Sequence, residues 1–192
     1  MRFTAISLYT LVSLVGIGAV GLVTVQPGAA GAQDPAPAAI AILRSAAGDE
    51  VGHISLTDGA NGVTLSVQAS GLTPGFHGFH VHANGQSDAP DFTSAGPHFN
   101  VQDLGQGMLQ SGHSGDLPSL LVNDDGSARL TTVTDRFSVD DLLAGGGTAV
   151  IVNAGPDNFG NIPTRYAPAP DATTLATGDA GARVACGVVR PG

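Results

Sequence analysis

The chain has 192 residues, enough for one domain with a sizeable core. Its 7 basic residues, all arginine, face 16 acidic ones for a formal charge of −9. That balance argues against nucleic acid or an anionic membrane surface as a partner. Glycine is abundant, aromatics are few and tryptophan is absent, a composition that suits short strands joined by many turns.

Residues 1–32 read as an export signal. Arg2 supplies the positive start, an apolar run follows over residues 5–25, and Ala30-Gly31-Ala32 fits the small-residue cleavage pattern. An uncleaved anchor is the alternative, because the run approaches spanning length; no cysteine lies near the cleavage site, which excludes a lipid anchor. Residues 33–38, rich in Ala and Pro, read as a tether to a domain over residues 39–192. The expected location is outside the cell or in its envelope, with no membrane contact once the signal is removed.

Residues 40–44 and 51–57 read as strands, and residues 61–69 alternate, with Val63, Leu65, Val67 and Ala69 on one face. His53 sits at the start of the second strand with no partner motif and reads as a surface residue. A turn at residues 71–74 leads into GFHGFHVH, a half-buried strand that ends at the Asn84-Gly85 turn signal. Residues 84–115 have little strand pattern, and a loop that long inside a compact domain is usually functional or tied down. Residues 117–123 and 127–133 form a hairpin around Asp124-Asp125-Gly126, whose aspartates read as turn chemistry rather than a calcium loop. Ser138 and Asp141 form a capping box that opens one helical turn to Leu143. Residues 148–152 form a strand ending at Asn153, residues 154–182 form a second long loop, and residues 183–189 the last strand. The expected architecture is all-β: an eight-stranded Greek-key barrel or sandwich with two long functional loops.

Four of the six histidines, His77, His80, His82 and His98, lie within residues 75–100. Alternation along a strand points His80 and His82 the same way and His77 the other way. His77 therefore reads as a hydrogen-bonded structural residue. Two imidazoles on one face, joined by His98 from the loop, make a preset site suited to copper or zinc.

GFHGFHVH followed by SAGPHFN, with GDAGARVACGVV near the C-terminus, resembles the copper/zinc superoxide dismutases from about residue 39 to residue 189. The resemblance implies a barrel with metals held against its outside by the two loops. It implies copper on His80, His82 and His98, with His98 also bridging to zinc, and a zinc side made of His113 and Asp116. Asp157 matches the aspartate that links the two metal sites, and Arg183 the arginine that attracts and positions superoxide beside the copper. The chain departs from the family at three points. Asn153 stands where the fourth copper histidine is expected. Asp103 and Gln106 occupy the stretch where another zinc histidine is expected. Cys186 has no disulfide partner, since residues 91–93 read Asp-Phe-Thr.

The implied function is a secreted, copper-dependent conversion of superoxide to dioxygen and hydrogen peroxide, with reduced activity because of Asn153 and with zinc as a second metal. The alternative is a non-catalytic copper-binding or envelope interaction module on the same fold. A zinc hydratase-like site on three histidines satisfies the ligand count, but nothing else in the chain points to a water-activating pocket.

Overall fold

The structure is a computed structural model and describes residues 36–101, 112–163, 165–166 and 169–192. The expected signal, half of the tether, Asp103 and Gln106 lie outside the described residues. Among those described, no helix is long and apolar enough to cross a membrane.

Among the described residues nine strands form one antiparallel sheet: β1 (Ala39–Ser45), β2 (Glu50–Gly59), β3 (Gly62–Ala69), β4 (Gly75–His77), β5 (Phe79–His82), β6 (Leu120–Val122), β7 (Ala128–Thr134), β8 (Ala149–Asn153) and β9 (Arg183–Pro191). Their order is β4-β6-β7-β3-β2-β1-β9-β8-β5. The two end strands are consecutive in the chain, so the sheet rolls into a nearly closed barrel. Two short helices, α1 (Val139–Leu143) and α2 (Ala172–Thr177), sit in the connections.

The period-2 pattern explains the core. Val63, Leu65, Val67 and Ala69 of β3 point inward, as do Ala39, Ala41 and Leu43 of β1. On β2, Val51 and Ile54 both point in although three residues apart; a register shift opposite Leu43 and Arg44 accommodates the irregular spacing. His53 is exposed on the outer face. The Asp125 side chain accepts from the Ser127 N–H at 2.9 Å, which closes the β6–β7 turn by side-chain chemistry. At α1, Ser138 and Asp141 form the reciprocal capping box.

Two expectations need correction. The histidine segment is two strands rather than one: β4 pairs with β6, whereas β5 pairs with β8, which gives nine strands instead of eight. Gly78 is the switch between the two edges, and a Cβ there would collide with Ala180 and with the His80 ring. The second correction concerns burial. β5 is buried on both faces rather than half-buried. Phe79 and Val81 enter the main core, while His80 and His82 lie on the outer face under the first long loop.

The described parts of that loop, residues 83–101 and 112–119, are sewn onto β5 by main-chain hydrogen bonds. Val81 N–H donates to Gly115 O at 2.9 Å, Phe99 N–H to Val81 O at 2.8 Å and Ala83 N–H to Pro97 O at 2.9 Å. β8 is buried along its whole length for the same reason: Val150 and Val152 face the main core, and Ala149 and Ile151 face a second apolar cluster with Phe92, Ala95 and Cys186.

Candidate metal centre

The outer face of β5 and the loop above it bring His80, His82 and His98 together. All three are buried, with candidate ligand atoms within 4.8 Å of one another. The His80 and His98 rings stack at 4.1 Å, and the His82 and His98 rings meet edge to face at 4.8 Å. A second group, His98, His113 and Asp116, meets the same distance criterion. His98 belongs to both.

The three rings of the first group are oriented differently. The Nδ1–H of His82 donates to Gly96 O at 2.8 Å, while its Nε2 is buried with no hydrogen-bond partner among the described residues. Burial first, and then neighbouring His98, push the His82 imidazole well below its ordinary pKa. The ring is therefore neutral, with a bare lone pair on Nε2. An orphaned buried nitrogen normally carries a desolvation cost, and a metal ion removes it. The donor set and this orphan fit a copper ion.

His80 meets oxygen at both ring nitrogens. Nε2 contacts Asp157 Oδ2 at 2.6 Å and Nδ1 contacts Asn153 Oδ1 at 3.1 Å. The Asn153 amide is itself oriented by a bond from Nδ2 to Gly181 O at 3.0 Å. Asn153 therefore lies beside the trio, as its place in the chain implied, and holds the His80 nitrogen that a metal would claim. The Asp157 contact is made by the other ring nitrogen and keeps the ring in place.

The second group is largely satisfied by the protein. Asp116 Oδ1 accepts from His98 Nδ1 at 2.8 Å, and Oδ2 accepts from the His113 main-chain N–H at 2.8 Å. Burial alone would raise the Asp116 carboxyl, but hydrogen bonds from His113 and His98 outweigh it and hold the group well below the usual carboxylate range. Beneath this loop lies Arg136, buried, which donates to Gly112 O at 2.6 Å and Asp116 O at 3.3 Å. Nothing in the run TTVTDRF marked this arginine, because its partners are main-chain carbonyls distant in sequence.

Arg183 opens onto a surface cavity of about 440 Å³ lined with Pro90, Asp91, Thr93, Gly181 and Ala182. Its guanidinium donates to Phe92 O at 2.6 Å and to Gly96 O at 2.7 Å. Gly96 O is thus shared between Arg183 and His82, so one carbonyl orients both. His77 stands apart: its ring nitrogens contact Asn153 O at 2.5 Å and Thr73 O at 2.8 Å. Cys186 is buried and unbridged, and burial pushes its thiol up.

Comparison with known proteins bears on these features. Residues 50–189 match the family described as copper/zinc superoxide dismutase. The chain is 44% identical over 190 residues to the superoxide dismutase [Cu-Zn] of Mycolicibacterium paratuberculosis (strain ATCC BAA-968 / K-10), covering 87% of this chain and 82% of that one. It is 50% identical over 153 residues to the protein of that name from Mycobacterium tuberculosis (strain ATCC 25618 / H37Rv), covering 69% of this chain but only 62% of the relative's length. Among solved structures, a SOD-like protein from Bacillus subtilis aligns with a TM-score of 0.64 at 28% identity, over 78% of this chain and 96% of that one. The rolled sheet, the histidines under its loops and this match over residues 50–189 agree: the chain belongs to the copper/zinc superoxide dismutase family.

Proposed function

We propose that the protein dismutates superoxide with a copper ion held by His80, His82 and His98. The observation that carries this reading is the buried His82 Nε2, which has no hydrogen-bond partner among the described residues, in a cluster with two further imidazoles. Copper, when bound, supplies the one-electron couple by which two superoxide ions and two protons become dioxygen and hydrogen peroxide. The remaining work falls to the chain's own groups. Arg183 places a fixed positive charge at the mouth, the main local attraction for an anion in a chain of formal charge −9. His98, with Asp116 on its Nδ1, is the imidazole placed to hold and pass a proton. His80 is kept in orientation by Asp157, and Gly96 O sets the tautomer of His82. The sequence of residues 1–32 supports export of the chain.

One observation favours a second reading, a copper-binding module without turnover. Asn153 Oδ1 occupies the His80 Nδ1 atom and offers copper a weak neutral oxygen in place of an imidazole. Reconstituting the purified protein with copper, removing excess ion and measuring superoxide decay by pulse radiolysis decides between them. A rate per copper above that of free copper supports the enzyme. Stoichiometric tight binding without such a rate rejects it in favour of the module.

A further inference from the structure

We infer that Phe92 is the anchor that fastens the metal-bearing loop to the sheet and sets Arg183 in place, doing by apolar burial what a covalent cross-link to Cys186 would do. Of residues 83–94, Phe92 is the only one that is buried, at 1% exposure. Its ring lies in a cluster separate from the main core, with Ala95 of the loop, Ala149 and Ile151 of β8 and Cys186 of β9. The loop is thereby joined to β8, which pairs with β5, and to β9 beyond it, on the face that carries His80 and His82.

The backbone at Phe92 is held in an unusual conformation. It lies in the left-handed region, at φ 55° and ψ 25°, which bulky side chains rarely adopt. Its N–H donates to Asp88 O at 3.0 Å. Its carbonyl accepts from Ala95 N–H at 3.2 Å and from Arg183 Nη1 at 2.6 Å. Seating the ring in the cluster therefore turns this carbonyl toward the guanidinium. Phe92 is a positioning residue: it touches no reacting atom and acts through Arg183 and through the segment that leads to His98. The Arg183 part rests on the dismutase reading; the loop anchor stands without it.

The test uses the full chain, metal-free, as wild type, Phe92→Ala and Phe92→Leu. Hydrogen exchange compares residues 84–100 with residues 39–69, and peptide mapping follows modification of Arg183 by phenylglyoxal. Phe92→Ala is expected to speed exchange in residues 84–100 by about tenfold, leaving residues 39–69 unchanged, because protection reports local opening. Arg183 modification is expected to rise in parallel. Phe92→Leu, which keeps an apolar side chain, is expected to restore both to within about twofold of wild type. Unchanged exchange and unchanged Arg183 reactivity in Phe92→Ala overturn the proposal. So does equal loss of protection in residues 39–69, which makes Phe92 ordinary core, and so does failure of Phe92→Leu to restore either readout. None of these measurements needs turnover, so a copper-loaded protein that fails to dismutate rejects only the functional reading.

Discussion

The two halves of the metal centre share His98 and differ in how far the protein itself satisfies them. In the half bounded by His80 and His82, one imidazole nitrogen is buried with no partner and another is met only by the Asn153 amide at 3.1 Å. In the half bounded by His113 and Asp116, each carboxylate oxygen has a donor at 2.8 Å, and Arg136 braces the carbonyls beneath. Burying an unpaired polar atom costs far more than a paired one gains. The first half therefore leaves an imidazole nitrogen that a bound ion would satisfy, whereas the second keeps its shape through hydrogen bonds and charge.

The largest expected effect separates the halves directly. Replacing His82 with Gln removes the unpartnered nitrogen and should lower copper affinity by more than about 100-fold, whereas His113→Ala should change it by less than about tenfold. Competition titration against a chelator measures both, and equal losses would erase the distinction.

Arg136→Met probes the self-satisfied half. Losing the guanidinium leaves the Gly112 and Asp116 carbonyls short of donors, with an expected destabilisation of about 2 kcal/mol and a fall in melting temperature of roughly 6 °C. Calorimetry of the metal-free protein shows it. No change in melting temperature would mean that the loop is held by other contacts.

Asn153→His sharpens the contrast within the first half by adding a fourth imidazole. Copper affinity should rise about tenfold and dismutation should quicken, while the cupric electron paramagnetic resonance spectrum should gain coupling from an added nitrogen. Identical spectra would show that residue 153 does not reach the ion. The smallest effect is expected at the rim. Asp91 is an exposed acid beside Arg183 in the cavity wall. Asp91→Asn keeps the oxygen that accepts from Thr93 and removes a charge that repels superoxide. The rate should rise about twofold at low ionic strength and converge with wild type at high salt; a gain that persists in salt would have another origin.

Much of the fold was legible in the chain because its signals are local. The alternation at Val63, Leu65, Val67 and Ala69, the capping box at Ser138 and Asp141 and the turn at Asp125 each depend on residues a few positions apart, and each recurs in the structure. The break at Gly78 was not legible. One strand or two depends on which neighbours β4 and β5 find, and those neighbours, β6 and β8, arrive from about 40 and 70 residues away in sequence. At the site, the histidine motif itself pointed to His80, His82 and His98. The roles of Arg136 and Phe92 were hidden: one donates to main-chain carbonyls that any sequence would supply, and the other looks like an ordinary loop aromatic.

The sequence alone determined the ligand types, the β-rich pattern and the two long loops, because side-chain chemistry and periodicity are written residue by residue. Only the tertiary structure decided which ring nitrogens are paired and which one is left bare. That outcome depends on distant segments meeting on β5: residues 83–101 and 112–119 bring Gly96 and Asp116 to the imidazoles, and the end of β8 with the loop after it brings Asn153 and Asp157.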